Sequence, residues 1–307
     1  MSAQIDISVV IVSYKVKDLV SKCIESLFLY TDKAIKLEVI LVDNASEDGT
    51  LELISEKFLQ VKLIANKENK GFPAANNQGF EKASGKYILM HNPDTEFFND
   101  AIRKIFNRIE SDKDLWMIAP KLLNTDKSRQ QSVWRFPKVR DVFYETHYMH
   151  SALGNKNYRD KDFNQAFEAD SFSGAAILFR KELLKKIGKL DETMFWIEDV
   201  EFCYRASQAG LKRLYFPDAE IIHHIGQSAK KNYNISILNQ VVNKIKFFKK
   251  HGTKWQHFSV VCLSFYHVKL KLLVFGLLSP FKKIYRLKAK AYWFTLFKVF
   301  NPPKGIS

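Results

Sequence analysis

Apolar and polar positions along the first hundred residues follow two different periods. Apolar runs of strand length occur in DISVVIVSY, LEVILVDN, VKLIAN and KYILMHN, whereas DLVSKCIESLFLY, TLELISEKF and AANNQGFEKAS have the apolar spacing of one helix face. The resulting order, βαβαβαβ, predicts a parallel sheet with right-handed crossovers. Ligands of such sheets bind beyond the carboxyl ends of the strands.

Polar side chains stand at all four of these predicted strand ends. They are Ser13 and Tyr14, then Asp43 and Asn44, then Asn66, and finally Asn92 and Asp94. Because the carboxyl ends of parallel strands meet at one edge of a sheet, we expect these side chains to line a single rim. The less specific explanation is that the strands simply run out into polar loops.

The pattern is less regular after the fourth strand. Residues 120–170 are rich in aromatic and basic side chains and predict an acceptor-binding region or an inserted subdomain. A strand and a helix are predicted in SFSGAAILFRKELLKKIG, and another helix in EDVEFCYRASQAG, with Gly210 as its stop. The segment LKRLYFPDAEIIHHIG predicts two short strands.

The charge of the chain is concentrated at one end. The 307 residues include 48 Lys and Arg against 33 Asp and Glu, a net charge of +15. Glu220 is the last acidic residue, so residues 221–307 hold 16 of the basic residues and no acid. Such a segment is expected to meet a polyanionic surface, either a nucleic acid or an anionic membrane. A nucleic-acid partner leaves the nearly neutral first 220 residues unexplained, so we expect none.

Several common classes of protein are excluded by missing motifs. The three cysteines have no C-x-x-C spacing, so they predict neither a disulfide framework nor a zinc site and fit a reducing compartment. The first residues, MSAQIDISVVIVSYK, have no basic leader region and predict a buried strand. VSYKVKD after the first strand contains no glycine, and no G-x-x-x-x-G-K-[ST] motif occurs, which excludes dinucleotide-binding dehydrogenases and P-loop enzymes.

Five motifs occur in a fixed order: VVIVSYK, LVDNASEDGT, NKGFPAANNQGF, HNPDTEF and GKLDETMFWIEDVEFCYRASQAG. Together they resemble the family 2 inverting glycosyltransferases, particularly the bacterial branch with rhamnosyltransferases of surface-polysaccharide synthesis, over about residues 5–228. The resemblance implies an α/β chain with the A-type glycosyltransferase fold, a Rossmann-like, mostly parallel sheet flanked by helices. It also implies metal-assisted transfer of rhamnose or a related hexose from a UDP- or dTDP-sugar, in one displacement at the anomeric carbon.

The resemblance also suggests how the chain is divided. Residues 1–235 are expected to form the catalytic domain, with a nucleotide-sugar half over about residues 1–120 and an acceptor and base half over about residues 121–235. Residues 236–307 are expected to form a basic, aromatic helical extension.

Donor contacts are expected along the strand ends. Asp43 can accept a hydrogen bond from the imide N–H of uracil or thymine, and Ser13 and Tyr14 can close over the base or ribose. Gly71 allows the backbone to approach a ligand closely, or else serves a turn before a helix. Asp48 fits a nucleotide contact and a helix cap equally well. Further donor contacts are predicted for Asn44, Asn66, Asn76, Asn77 and Asn92.

Asp94 is the predicted metal ligand. Mg²⁺ or Mn²⁺ bridging the donor's phosphates stabilises the charge of the leaving diphosphate. Similar enzymes often carry two aspartates here, whereas this chain has NPD, so metal binding is expected to depend on the donor's phosphates. By resemblance, His224 is predicted as a second ligand or phosphate contact, with His223 on the opposite strand face. Ser228 is a further candidate for a phosphate contact.

Three carboxylates lie within four positions in FWIEDVEFCYR. An inverting transfer needs one base to take the proton from the acceptor hydroxyl. By resemblance, Asp199 is the predicted base and Glu198 its alternative. Trp196 is predicted to stack on a sugar ring, and Glu201 to contact the acceptor or support Arg205. The less specific explanation is a solvated acidic helix start favoured by the helix dipole.

The acid-free extension mixes aromatic and aliphatic residues with lysines. Lys269 and Lys271 interrupt its apolar run before it reaches the ~20 residues of a spanning helix. We expect interfacial helices with lysines towards anionic lipid, at the inner face of the cytoplasmic membrane, which agrees with a glycan or polyprenyl-diphosphate-linked acceptor. A helical cap packed on the catalytic domain and a true membrane span are the alternatives.

Two other functions fit a sheet of this kind. One is a nucleotide-sugar-binding module without catalysis, which the presence of both Asp94 and Asp199 disfavours. The other is a nucleotidyltransferase, which would release pyrophosphate instead of a nucleoside diphosphate. The identity of the released product therefore separates these functions.

Overall fold

The alternating pattern of the first hundred residues folds as predicted. The elements are β1 (Ile7–Ser13), α1 (Lys17–Tyr30), β2 (Leu37–Asp43), α2 (Thr50–Lys57), β3 (Lys62–Ala65), α3 (Phe72–Lys82) and β4 (Tyr87–His91). The computed structural model describes residues 4–147, 149, 158, 160–224 and 233–299. β1 pairs in parallel with β2 and β4, and β2 pairs in parallel with β3. All four strands therefore end at one edge of the sheet.

Most of the remaining strands extend the same sheet, whereas two of them pair with each other in a separate two-stranded sheet. The next elements are β5 (Thr95–Glu96), α4 (Ala101–Glu110), β6 (Leu115–Leu123), β7 (Val133–Trp134), α5 (Val139–Thr146), β8 (Phe167–Glu168), β9 (Ser171–Phe172), β10 (Ala176–Arg180), α6 (Leu183–Ile187), α7 (Glu198–Gln208) and β11 (Lys212–His223). The strand order is β3-β2-β1-β4-β10-β6-β11-β5, with β8 beside β11. β10 is antiparallel to both neighbours because it enters at the edge where β4 ends. The predicted α/β fold is present, with a mixed rather than mostly parallel sheet.

Successive residues of the buried strands pack on opposite faces of the sheet. In β1, Val9 and Ile11 pack with α1, α2 and α4, whereas Val10 and Val12 pack with α3 and α7. Every residue of β1 is buried. Helices therefore cover both faces of the sheet, which explains why the sequence of β1 is a nearly continuous run of apolar residues.

The end of α7 follows the sequence prediction, and the strand after it does not. The chain turns at Gly210, whose φ is +69°, and the N–H groups of Gly210 and Leu211 donate to carbonyls of the last turn. The two short strands predicted next are a single strand, β11. Its pairing with β6 shifts register between Phe216 and Glu220, where Pro217 has no N–H to contribute.

The extension forms three helices packed on one another and on the α/β part of the chain. They are α8 (Tyr233–His251), α9 (Lys254–Leu278) and α10 (Lys283–Lys298). Leu238 and Val268 contribute to the core among the three helices, while Phe247 of α8 packs with Val142 of α5. Among the described residues, α9 is the one helix long and apolar enough to cross a membrane by length and composition.

The first prediction concerns the packing of α3 on β1. A Cβ added at Gly79 of α3 would overlap Cγ1 of Val10. We expect Gly79→Ala to lower the free energy of unfolding by about 1–3 kcal/mol, because overpacking outweighs the ~1 kcal/mol by which alanine favours a helix. Urea unfolding measures the change.

Gly276→Ala in α9 is the matched control, because nothing lies within 4 Å of an added Cβ. We expect this variant to be as stable as the parent protein, or more stable by up to about 1 kcal/mol. Equal stability of the two variants would contradict close packing of α3 on the sheet.

Candidate active site

The carboxyl ends of β1, β2 and β4 and the amino end of β10 lie along one edge of the sheet. Ser13 pairs with Asp43 across β1 and β2, and the N–H of Asn92 donates to the residue before β10 at 2.9 Å. One position earlier, Gly174 donates its N–H to Asp199 at 2.8 Å. Neighbouring strands lie about 4.8 Å apart, so this rim spans about 14 Å from Asp43 to Gly174.

The β1–β2 end of the rim carries buried oxygen atoms without hydrogen-bond partners among the described residues. They are Ser13 Oγ, Asp43 Oδ1 and Asn76 Oδ1, the last from α3, which packs over these strands. Asp43 is 2% exposed, and its other oxygen accepts from the Ser46 N–H at 3.0 Å. A buried polar atom left unpaired costs roughly 1–3 kcal/mol. This end of the rim therefore fits a polar ligand that donates hydrogen bonds, with the exposed ring of Tyr14 beside it.

The side chains of Asn44 and Asn66 brace a loop. Asn44 Oδ1 accepts from Asn66 Nδ2 at 3.1 Å, and Asn44 Nδ2 donates to Asn69 Oδ1 at 2.7 Å. Asn66 also exchanges hydrogen bonds with Gln78. The loop leads to Gly71, which precedes α3 with a φ of +86°. Asn44 and Asn66 therefore serve as loop scaffold, and their donor contacts stay predictions.

Asn77 and Asp48 also bind within the protein. Asn77 hydrogen-bonds both backbone groups of Leu190 and donates to Glu192 Oε1. The Asp48 carboxylate accepts from the first N–H groups of α1 and α2. These bonds place the two helix starts and the chain before α7. Both side chains therefore have structural roles, and their donor contacts stay predictions.

The two histidines after β11 face different carboxylates. His223 Nε2 lies 3.2 Å from Asp94 Oδ1, whereas His224 Nε2 lies 2.9 Å from Glu96 Oε2. Consecutive side chains of an extended chain point to opposite sides, so only one can reach Asp94. The geometry favours His223, not the predicted His224, as the histidine beside Asp94.

Gln130 orients His223 and was not singled out from the sequence. Its side-chain N–H groups donate to the His223 carbonyl at 3.0 Å and to Asn124 Oδ1 at 3.1 Å. Its Oε1 lies 2.7 Å from His223 Nδ1 and accepts the proton there. Nε2, the other ring nitrogen of His223, then lies on the side of Asp94. An isolated glutamine, 93 residues away in the chain, gives no sequence signal for this role.

A few side-chain atoms at and near Asp94 could serve as ligands of a divalent cation. The Asp94 carboxylate, His223 Nε2 and Asn92 Oδ1, which is buried without a partner among the described residues, are the oxygen and imidazole ligands that Mg²⁺ or Mn²⁺ accepts. Within the described ranges, no group of three or more His, Cys, Asp or Glu side chains is arranged to hold a metal. A cation here would therefore take further ligands from a bound phosphate.

His91, the last residue of β4, is a second residue that sequence reasoning passed over, after Gln130. It is 1% exposed, and its Nε2 lies 2.5 Å from Thr95 Oγ1. Burial, and then the neighbouring His223, lower the pKa of His91 to about 3. Its ring is therefore neutral at physiological pH and packs on Phe97, 5.0 Å between ring centres. The only sequence signal was a histidine inside an apolar strand.

Glu198 and Asp199 open α7 in different environments. Asp199 accepts from the N–H groups of Gly174 at 2.8 Å and Val200 at 2.7 Å, while Glu198 Oε2 is buried without a partner in the described part of the chain. Burial, and then the charge of Asp199, raise the pKa of Glu198 to about 8. Burial raises the pKa of Asp199 to about 6, against its backbone hydrogen bonds. At neutral pH the pair holds one proton, on Glu198, and one negative charge, on Asp199.

Trp196 and Glu201 flank this pair. Trp196 is 44% exposed, and its φ of +79° is a left-handed conformation that costs roughly 1–3 kcal/mol at a residue other than glycine. Glu201 is fully buried, and its carboxylate binds Arg205, Lys250 and His251. An acceptor can therefore reach Trp196. Because three side chains cover its carboxylate, the geometry favours the predicted alternative in which Glu201 supports Arg205.

Part of the predicted acceptor half lies outside the described residues, namely 148, 150–157, 159 and 225–232. The predicted phosphate contact of Ser228 is among them. The described portion of this half contributes Gly174 and Asp199 to the rim.

The second prediction concerns the proton on Glu198. Its pKa is raised on folding, so the unfolded chain releases this proton at lower pH than the folded protein. Glu198 therefore favours folding below its ordinary pKa of 4.5, and this contribution is lost as the pH rises towards 8. Glu198→Gln removes the titration, so we expect the variant to gain about 1 kcal/mol or more relative to the parent between pH 5 and pH 8.5.

Urea unfolding at the two pH values measures this difference. Glu56→Gln, at an exposed position of α2, is the control and should follow the parent protein at both. The same pH dependence in Glu198→Gln and the parent would contradict a protonated Glu198.

Known proteins similar to this chain are glycosyltransferases. Residues 8–188 match the family model described as Glycosyl transferase family 2. The N-acetylglucosaminyl-diphospho-decaprenol L-rhamnosyltransferase of Mycobacterium tuberculosis is 24% identical over 246 residues, which are 73% of this chain and 78% of the relative. The poly(ribitol-phosphate) beta-glucosyltransferase of Bacillus spizizenii is 33% identical over 105 residues, which are 33% of this chain and 17% of that protein.

Two solved structures share the fold. The mannosyltransferase PcManGT from Pyrobaculum calidifontis, in complex with GDP-Man and Mn²⁺, has a TM-score of 0.60 at 15% identity and covers 99% of this chain and 89% of its own. GalNAc-T7 with UDP, GalNAc and Mn²⁺ has a TM-score of 0.56 at 16% identity, and the match covers 83% of this chain and 55% of the GalNAc-T7 chain. The predicted A-type glycosyltransferase fold is confirmed. Since the family match spans more than half of the chain, this protein belongs to glycosyltransferase family 2 and is a glycosyltransferase.

Proposed function

We propose that this glycosyltransferase transfers rhamnose or a related hexose from a UDP- or dTDP-sugar to a lipid-linked glycan acceptor, with inversion at the anomeric carbon. The placement of Asp199 carries the proposal. Asp199 is an ionised carboxylate on the same rim as Asp43 and Asp94, and its neighbour Glu198 holds the proton of the pair. A single base at this rim matches an inverting transfer, which needs no second carboxylate as nucleophile.

The donor nucleotide binds at the β1–β2 end of the rim. Asp43 Oδ1 and Asn76 Oδ1 are buried acceptors without partners among the described residues, and Ser13 Oγ lies beside them. A uracil or thymine base offers one imide N–H, which Asp43 accepts. Tyr14 lies next to this end and covers the base or ribose. Gly71 supplies backbone without a side chain at the start of α3.

The diphosphate of the donor lies beside Asp94 and His223. When bound there by these residues and Asn92, a divalent cation such as Mg²⁺ or Mn²⁺ neutralises charge on the leaving diphosphate. Both solved structures described above contain Mn²⁺, which supports this assignment. Gln130 keeps the Nε2 of His223 available on the side of Asp94.

Asp199 starts the transfer by removing a proton from the acceptor hydroxyl. The hydroxyl oxygen forms a bond to the anomeric carbon from the face opposite the nucleotide, while the bond from that carbon to the phosphate oxygen breaks. The electron pair of the broken bond leaves with the nucleoside diphosphate, and the proton stays on Asp199. Glu198 remains protonated, so no second negative charge opposes the base. Trp196 offers its exposed ring to a sugar of the acceptor.

The exposed face of α9 suits contact with a lipid surface. Along this helix, exposed large apolar residues recur at spacings that keep them on one side: Trp255, Phe258, Tyr266, Leu273 and Leu277. We call this side the α9 stripe. Lys271, in contrast, is 5% exposed and faces the protein. A helix with its apolar side outwards is expected at an interface, not in water.

The charge of the extension selects an anionic bilayer as the partner of the α9 stripe. Residues 221–307 carry 16 basic residues and no acid. A peripheral position at the inner face of the cytoplasmic membrane brings the enzyme to a polyprenyl-diphosphate-linked acceptor. The similarity to the mycobacterial N-acetylglucosaminyl-diphospho-decaprenol L-rhamnosyltransferase supports an acceptor of this class.

The reaction is tested by incubating the protein with a panel of nucleotide sugars, Mn²⁺ and a polyprenyl-diphosphate-linked N-acetylglucosamine. A pyrimidine nucleoside diphosphate and a glycosylated lipid of inverted anomeric configuration, read by NMR, are the expected products. Release of pyrophosphate would indicate a nucleotidyltransferase, and tight donor binding without turnover would indicate a binding module.

The third prediction concerns the base. We expect Asp199→Asn to lower kcat by roughly 10²- to 10⁴-fold, because the amide cannot take the acceptor proton. Donor affinity should remain, since Asp43 and Asp94 are unchanged. Enzyme kinetics and calorimetric titration with the donor measure the two quantities. Asp114→Asn, at an exposed position before β6, is the control for the same substitution, and full activity of Asp199→Asn would exclude this base.

The fourth prediction concerns the α9 stripe. We expect Leu273→Ser/Leu277→Ser to weaken sedimentation with vesicles of phosphatidylcholine and phosphatidylglycerol. Each serine removes a leucine side chain whose burial in the bilayer is worth roughly 1.5–3 kcal/mol. Leu59→Ser, at an 86% exposed leucine after α2, is the control and should bind as the parent does. Binding that is equal with pure phosphatidylcholine vesicles, or unchanged in the double variant, would contradict the proposed surface.

A further inference from the structure

The segment that leads into α7 has no helix or strand of its own. Residues 191–197, which we call the base loop, join the region after α6 to Glu198. Trp196 is the next-to-last residue of the base loop, and its backbone has a left-handed conformation. A strained residue keeps its conformation only when the surrounding structure holds it there. The base loop therefore depends on contacts from elsewhere.

One face of α8 provides these contacts. Its residues 243, 246 and 250 have the spacing of a single helix face. Going forward along α8, these residues pair with base-loop residues 195, 193 and 191, in that order. The helix and the loop therefore run in opposite directions. The pairs are Asn243 with the Phe195 carbonyl, Lys246 with the Thr193 carbonyl, and Lys250 with the Asp191 carboxylate at 2.6 Å.

The same helix also holds the first turns of α7. The buried Glu201 carboxylate contacts Lys250 Nζ and His251 Nε2, both at 2.9 Å, as well as Arg205. Burial raises the pKa of Glu201, but the hydrogen bond and charge of Arg205 and the bonds from α8 lower it below its usual value. Lys250 thus contacts the chain before Asp199, at Asp191, and after it, at Glu201.

From these contacts we infer that α8 is the template that positions the base loop and α7, and that Lys246 and Lys250 are positioning residues for the base Asp199. The inference rests on the proposed function, because it assumes that Asp199 takes the acceptor proton. It assigns to the extension a role in the reaction in addition to its lipid-facing stripe. Since α9 begins three residues after α8 ends, consecutive helices hold the base loop and present the α9 stripe.

Positioning of this kind affects the rate more than donor binding. A general base must lie within hydrogen-bond reach of the hydroxyl, and a displacement of about 1 Å costs up to about 100-fold in rate. The donor contacts at Asp43 and Asp94 lie on β2 and after β4. Loss of the template should therefore lower kcat and leave the affinity for the donor in place.

The fifth prediction tests the template with Lys246→Met/Lys250→Met, which keeps the aliphatic stems and removes both ammonium groups. We expect kcat to fall about 10- to 100-fold, with the donor dissociation constant within about twofold of the parent. Amide hydrogen exchange in residues 191–200, followed by mass spectrometry, should become faster. A loss of overall stability alone would not confine the change to this segment.

Two further variants are matched to this one. Lys249→Met makes the same substitution at an exposed neighbour on α8 and should leave kcat and exchange unchanged. Lys250→Arg keeps a cation beside Asp191 and Glu201, and should retain kcat within about threefold of the parent. Recovery by arginine but not by methionine separates positioning from the loss of a nonspecific charge.

A folded double variant with kcat within about twofold of the parent, or an equal loss in Lys249→Met, would overturn the inference. If the double variant does not fold, Asp191→Asn removes one partner from the loop side, and the same readouts decide. Measuring Asp199→Asn in parallel separates a failure of the proposed function from a failure of the template. Activity in Asp199→Asn rejects the proposed function, whereas an inactive Asp199→Asn beside fully active template variants rejects only the template.

Discussion

The hydrogen bond from the Gly174 amide to Asp199 joins α7 to the edge of the sheet where the other polar groups stand. It forms because β10 is antiparallel to β4, so the chain enters β10 at the edge where β4 ends, near Asn92. A parallel β10 would begin at the opposite edge, and the carboxylate of α7 would then lie far from Asp94. One antiparallel strand therefore brings Asp199 to the same edge of the sheet as Asp43 and Asp94.

The surroundings of the two adjacent carboxyls at this rim, Glu198 and Asp199, determine how they share a proton. Burial makes it costly for both to ionise, and the charge of Asp199 raises the pKa of Glu198 further, so Glu198 retains the proton of the pair. The pair therefore holds one ionised carboxylate near neutral pH, which the proposed reaction uses as its base, with a stability cost that grows as the pH rises.

Much of this arrangement follows from the sequence. Strands buried on both faces and helices buried on one face have different periods, and the strand-end rule then located Ser13, Asp43 and Asp94. Periodicity does not show which polar side chains are already occupied. Asn77 is an example, because its partner Leu190 lies 113 residues further along the chain. In the extension, likewise, a count of lysines cannot distinguish those that face lipid from those that α8 turns towards the base loop.

The most direct measurement of the central claim is a crystal structure of the protein with Mn²⁺ and UDP or dTDP. The pyrimidine imide should donate to Asp43 Oδ1, the diphosphate should lie beside Asp94 and His223, and Asp199 should face an open space on the far side of the diphosphate. A nucleotide bound away from this edge of the sheet, or phosphates in direct contact with Asp199, would contradict a single rim that holds donor and base together.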